Sequence, residues 1–136
     1  DTDVFKYSNL AEVSCVSNLI KINNNGWCEI ATYSYGNHWN TSKFITIGAD
    51  SIYLIEYGYD LNNKTYLTRC NAAKVFGRNE IIGFKIINNV LHIYIKQITY
   101  SYSSIACLGL RTENYPIVQF NYKATDLTDN DMDKIC

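Results

Sequence analysis

The chain has 136 residues, of which 47% are apolar and 18% are charged, and it contains one proline. A chain of this length forms about one domain and can bury a core without disulfide bonds. The composition excludes a disordered chain, and the sequence has no apolar run of the roughly 18 residues that a transmembrane helix requires. Twelve basic and thirteen acidic side chains give a net charge of −1. We therefore expect neither nucleic-acid binding nor membrane insertion.

Residue types that favour strands and turns are abundant. The sequence contains 12 Tyr, 17 Ile and 16 Asn. Tyr and Ile favour strands, whereas Asn favours turns. The composition therefore favours an all-β domain.

Residues 1–18 fit a helical turn about as well as a short strand, and we interpret them as a lead-in. The sequence begins with Asp1 and shows no signal-peptide pattern, so we expect it to be cut from a longer polypeptide. The pattern predicts strands at 19–22 and 27–33 around an Asn-Gly turn, and then a polar and aromatic loop at 35–42. It continues with strands at 44–47 and 51–57, a loop at 58–64, a strand at 65–69 and an irregular stretch at 70–80.

The clearest hairpin is predicted at residues 81–98, with its turn at Asn88 and Asn89. In its second strand three aliphatic residues alternate with three polar or aromatic ones, namely Leu91, Ile93 and Ile95 with His92, Tyr94 and Lys96. This alternation places the two sets on opposite faces. Strands at 103–108 and 117–122 follow, and the acidic residues 125–136 predict either a short exposed helix or a frayed end.

Eight to ten short strands without a core helix predict an antiparallel β-sandwich or jelly roll. We divide the chain into a lead-in at 1–18, a β-sandwich head at 19–124 and an acidic tail at 125–136. Trp27 opens a strand after a tight turn, and we assign it to the core.

The cysteine pattern indicates a protein that folds in a reducing compartment. The five cysteines are odd in number, form no CxxC pair and are scattered along the chain, at Cys15, Cys28, Cys70, Cys107 and Cys136. A secreted disulfide framework normally has an even number of cysteines. We therefore expect no disulfide bond in the native protein.

The sequence offers little material for catalysis. Of the two histidines, His38 lies in a predicted loop and His92 at an outward strand position, where we expect a solvated side chain. No cysteines or carboxylates stand near them at metal-ligand spacing, so we expect no metal and no cofactor. Six carboxylates could supply a pair for glycoside hydrolysis, but nothing singles out a pair among Glu29, Asp50, Glu56, Asp60, Glu80 and Glu113. We expect no enzymatic activity.

Aromatic residues beside the predicted loops suit ligand binding better. We expect Tyr35, His38 and Trp39 of one loop, together with Tyr57 and Tyr59 beside a second, to form a ligand-binding surface. Such rings offer a large contact area with a polar tip, which suits a sugar face or a protein epitope. The alternative is that several of these rings fill the sandwich core or an interface between copies.

Residues 25–31, with the sequence NGWCEIA, resemble the GWYRIA strand of bacteriophage tail-fibre and baseplate receptor-binding heads. The strands that follow in such heads have counterparts here in the same order, at residues 43–47, 82–86, 90–95 and 104–108. Cys28 and Glu29 stand where that family usually has an aromatic and a basic residue.

The resemblance implies a jelly roll similar in shape to C1q and tumour necrosis factor. It also implies a homotrimer at the tip of a virion fibre, folded in the bacterial cytoplasm. Such a head binds a host-surface glycan or protein and catalyses no reaction. Two other interpretations stay open: a bacterial carbohydrate-binding or adhesin module, and a structural virion protein. The sequence upstream of this chain would separate them, because phage fibres are preceded by elongated repetitive or coiled-coil segments.

Overall fold

The computed structural model describes residues 11–21, 26–34, 40–47, 51–77, 81–96, 102–112 and 119–136. For 11–21, 102–112 and most of 40–47 it describes the backbone alone. Within these ranges no helix is long and apolar enough to cross a membrane.

Ten strands are present in the described part of the chain. Their bounds are β1 Ala11–Lys21, β2 Trp27–Tyr33, β3 Asn40–Ile47, β4 Ser51–Tyr59, β5 Asn71–Gly77, β6 Ile81–Ile87, β7 Val90–Lys96, β8 Tyr102–Thr112, β9 Gln119–Ala124 and β10 Lys134–Ile135. They form two five-stranded sheets: sheet A in the order β1-β8-β3-β4-β5 and sheet B in the order β10-β6-β7-β2-β9. All the pairings are antiparallel, so the predicted all-β sandwich is confirmed.

The β6–β7 hairpin follows the sequence pattern. Asn88 and Asn89 have positive φ angles of 50° and 62°, which Asn tolerates and a two-residue hairpin turn requires. Leu91, Ile93 and Ile95 are buried in the core, whereas His92 and Lys96 are half-buried on the opposite face.

The core lies between the sheets and is rich in tyrosine. On β4 every second side chain from Tyr53 to Tyr59 points inward, in an alternation of buried with half-buried or exposed residues. The ring of Tyr57 meets Tyr33 of sheet B edge to face, with centroids 4.8 Å apart. Such contacts between the sheets hold the two layers together.

Four boundaries differ from the sequence prediction. β1 begins at Ala11 and pairs with β8 over its whole length, so part of the expected lead-in belongs to sheet A. β4 runs on to Tyr59 instead of ending before a loop at residue 58. The strand expected at 65–69 is a single bridge at Thr65 followed by a 3-10 turn, and the irregular stretch contains the edge strand β5. An edge strand that is exposed along most of its length needs no apolar alternation, which is why the pattern missed it.

Residues 125–136 pack on the outer face of sheet B, and we call them the C-terminal segment. A 3-10 turn at Asp129–Asp131, capped by Thr128, leads into β10, which pairs with β6. Trp27 is fully buried beneath this segment, where its Nε1 donates to Asp129 Oδ1 over 3.0 Å. The assignment of Trp27 to the core is confirmed, because its side chain is fully buried. It is buried on the outer face of sheet B, whereas the next residue, Cys28, belongs to the cluster between the sheets.

Candidate functional site

A cleft of about 530 Å³ lies on the outer face of sheet B, and we call it the sheet B cleft. Its floor consists of Glu29 from β2 with His92 and Tyr94 from β7. The rest of the lining combines two apolar residues with the charged and small residues that lead into the C-terminal segment, namely Ile87, Leu127, Lys123, Ala124, Thr125 and Asp126. The cleft therefore joins a polar floor to apolar and charged sides.

Local strand geometry explains why these floor residues meet. His92 and Tyr94 occupy the outward positions of β7, because the aliphatic residues between them fill the core. On β2, the register shifts between Glu29, which faces Tyr94, and Ala31, which faces Ile93. Glu29 points outward by regular alternation from Trp27, and the β-bulge that follows turns Ala31 and Tyr33 of the same strand into the core.

Glu29 is the centre of a hydrogen-bond network. One carboxylate oxygen accepts from Nδ1 of His92, and the other accepts from Nδ2 of Asn121 on β9 over 2.8 Å. Tyr94 also hydrogen-bonds to Glu29, and its ring stacks on that of His92 with centroids 6.4 Å apart. Because Glu29 is buried, these donors offset the cost of removing its charge from water.

Tyr94 is held as a neutral phenol. Burial of the ring raises its pKa, and the negative charge of Glu29, the hydrogen bond to it and the charge of Asp133 raise the pKa further. A phenol that keeps its proton donates a hydrogen bond and is a poor base. Its role in the cleft is therefore to hold Glu29 in place.

His92 does not have the environment that the sequence predicts. It points outward as expected, but it is half-buried and paired with Glu29 instead of solvated. In the sequence, Glu29 is one of six candidate carboxylates, and nothing marks it as the partner of His92. The outward positions of His92 and Tyr94 on β7 can be predicted from the sequence. They point to Glu29 only once β2 is known to lie beside β7.

Of the five residues in the sequence-predicted ligand site, three lie outside the described residues and two lie in the core. Tyr35, His38 and Trp39 lie outside the described residues, and their role in binding stays a prediction. Tyr57 and Tyr59 are 1% and 6% exposed, because β4 continues past the expected loop boundary and both rings point into the core. For these two residues the structure corresponds to the alternative, in which the rings fill the sandwich.

A smaller cleft of about 320 Å³ lies on the other side of Leu127, lined by Lys96, Thr128, Asp129 and Asn130. Lys96 donates to Asp129 over 2.9 Å, and this hydrogen bond holds the pKa of Asp129 below its usual value. The Lys96 ammonium also lies 5.7 Å from the centroid of the Trp27 ring. Among the described side chains no cluster of three or more His, Cys, Asp or Glu residues could hold a metal ion.

Comparison with known proteins identifies no family. No protein-family model matches the chain, and no curated protein does. One solved structure that is similar is the tailspike protein gp49 of the Acinetobacter baumannii bacteriophage Fri1, described as a capsular polysaccharide depolymerase. The TM-score is 0.48 and the identity 13%, over 84% of this chain and 20% of that protein. The chain thus spans about a fifth of the tailspike, and a similarity this low indicates nothing about activity.

Proposed function

We propose that this chain is the receptor-binding head of a phage tail fibre or other virion fibre, and that it binds a glycan on the host surface. The sheet B cleft is the observation that carries the glycan part of the proposal. Its volume is in the range of small-ligand sites. A polar floor beside apolar residues matches a saccharide, which has hydroxyl edges and C–H faces.

The phage part of the proposal is supported by the sequence resemblance. The segments that carry it coincide with five strands in the order β2, β3, β6, β7 and β8. The GWYRIA-like segment forms β2, which is central in sheet B between β7 and β9. The resemblance is therefore compatible with the fold along most of the chain.

Three features of the cleft support binding without chemistry. The Glu29 carboxylate already accepts hydrogen bonds from three side chains, so it is poorly placed to accept a proton from a substrate. Tyr94 is held protonated. Asp126 lines the cleft, but nothing in the described residues pairs it with Glu29 as an acid and a nucleophile.

Self-association is the second part of the proposal. The β5 edge of sheet A exposes two large apolar side chains, Val75 and Phe76, near the end of the strand where Phe76 pairs with Ile52, whereas Glu56 pairs with Asn71 at its other end. Val75 and Phe76 are 66% and 70% exposed, on the edge strand β5. We propose that a second copy of the chain covers this surface in a homotrimer, which leaves the sheet B cleft free for the receptor.

A glycan microarray combined with a host-cell binding assay tests this function. We expect the purified chain to bind a defined group of glycans and Glu29→Gln to bind them at least tenfold more weakly. The matched control is Glu56→Gln, which removes a carboxylate from the outer face of sheet A. An absence of glycan binding, or equal losses in the two variants, would contradict the proposal.

A further inference from the structure

We propose that the sheet B cleft selects neutral saccharides and rejects saccharides that carry a carboxylate. This inference rests on the proposed function and names the class of ligand. It follows from the balance of charges and hydrogen-bond acceptors around the cleft.

The charged groups that line the cleft do not favour an anion. The lining contains two carboxylates, Glu29 and Asp126, against one lysine, Lys123. Glu29 is partly compensated by its donors, whereas Asp126 is exposed at the mouth of the cleft. A ligand carboxylate would therefore meet a like charge as it enters.

The C-terminal segment adds to this negative field. Besides Asp126 it contributes three further aspartates, namely Asp129, Asp131 and Asp133, and one lysine, Lys134. The Nζ of Lys134 donates to the backbone carbonyls of Leu67 and Cys70, over 3.1 and 2.7 Å. It is therefore directed away from the cleft, and the segment beside the cleft keeps an excess of negative charge.

Two neighbouring lysines contact the C-terminal segment and offset part of its negative charge. Lys85 Nζ donates to the backbone carbonyl of Asp131 over 2.8 Å, and Lys96 Nζ donates to the side chain of Asp129. Neither of them lines the sheet B cleft. Lys123 is thus the lysine available at this cleft, and Asp126 lies three residues away from it.

The polar groups at the cleft suit ligand hydroxyls. His92 lines the cleft, and a neutral imidazole whose Nδ1 donates to Glu29 has its acceptor at Nε2. The Asp126 carboxylate is a second acceptor. Sugar hydroxyls donate to both groups, whereas an ionised carboxylate on a sugar can only accept. A ligand carboxylate that takes the place of a hydroxyl therefore forms no hydrogen bond with these acceptors.

The test is a binding assay with matched glycan pairs and two variants. The probes are galactan against polygalacturonan, and N-acetyllactosamine against its α2,3-sialylated form. Each pair differs in a carboxylate-bearing group. The variants are Asp126→Asn, which removes the charge at the mouth of the cleft and keeps its shape, and the control Glu56→Gln.

We expect the unmodified chain to prefer the neutral member of any pair that it binds by at least tenfold. Asp126→Asn should reduce that preference severalfold, and Glu56→Gln should leave it unchanged. Preference for the anionic member overturns the inference while the proposed function survives. An unaltered preference in Asp126→Asn also overturns the inference, because the charge of Asp126 would then not cause the preference for neutral glycans. Failure to bind any glycan in the wider array overturns the proposed function together with the inference.

Discussion

The carboxylate of Glu29 on β2 accepts a hydrogen bond from Nδ1 of His92 on β7, on the face of sheet B that points away from the core. The pair lies at the bottom of a cleft instead of at a solvated surface, and it fixes the ring of a histidine that can contact a ligand. We therefore expect stability and ionisation in this region, and the proposed binding, to depend on one buried carboxylate.

Glu29→Gln should lower the free energy of unfolding by about 1–3 kcal/mol. The neutral amide weakens charge-assisted hydrogen bonds and leaves a buried group imperfectly paired. Urea denaturation followed by tryptophan fluorescence measures the effect, and Glu56→Gln should change the free energy by no more than about 0.5 kcal/mol. A Glu29→Gln variant as stable as the unmodified chain would show that the network contributes nothing to the fold.

Stability should fall as the pH rises above about 9 to 10, where Cys and Tyr side chains of an unfolded chain ionise. Burial raises the pKa of Cys70 to about 12, and burial together with Glu29 raises the pKa of Tyr94. A folded-state pKa above the unfolded value contributes stability that is complete below the unfolded pKa and is lost as the pH rises through the folded one. Urea midpoints between pH 8 and 11 measure the decline, which Tyr94→Phe should make shallower. A parallel decline in that variant would contradict the role of Tyr94.

Gly83→Ala should loosen the C-terminal segment. A Cβ at this position would lie 2.7 Å from Met132 Sδ and 2.9 Å from Cζ3 of Trp27. The methionine can move, but the indole is held by its hydrogen bond to Asp129, so we expect a loss of about 1–3 kcal/mol. Met132→Ala in the same chain should recover part of this loss, and a double-mutant cycle measures the coupling. Additive effects of the two substitutions would mean that the crowding is absent.

Phe76→Lys combined with Val75→Thr should convert the proposed trimer into monomers. Both side chains are exposed on the β5 edge, so the folded monomer should lose little stability. Light scattering at micromolar concentration measures the oligomeric state, and denaturation checks the fold. A stable monomer of the unmodified chain would refute the trimer, and an unchanged trimer in the double variant would place the interface elsewhere.

Trp39→Ala should abolish binding to host cells and change stability by no more than about 1 kcal/mol, if the loop predicted from the sequence is part of the receptor site. Cell binding and thermal denaturation of the variant test this expectation. If the variant unfolds, Trp39 belongs to the scaffold. If it binds as well as the unmodified chain, the loop is not part of the receptor site and the sheet B cleft remains the candidate.

Alternation along single strands predicted the fold better than it predicted the site. The β6–β7 hairpin could be read from Asn88, Asn89 and the aliphatic residues of β7, because the pattern is local. The Glu29–His92 pair could not be predicted, since 63 positions separate its members and a bulge directly after Glu29 interrupts the alternation along β2. The end of β4 was placed too early for a related reason: Gly58 suggests a loop, but its pairing with Thr41 of β3 continues the strand to Tyr59.

The burial of Trp27 joins distant parts of the chain, because its indole meets Asp129 at a sequence separation of 102. Contacts of such high sequence separation carry a large loop-closure cost and slow the folding of β-sandwiches. Neither sheet B alone nor the C-terminal segment alone can shield the indole from water. The fluorescence emission of Trp27 should therefore reach its native value only when the C-terminal segment docks. This emission thus reports the last step of folding in this part of the chain.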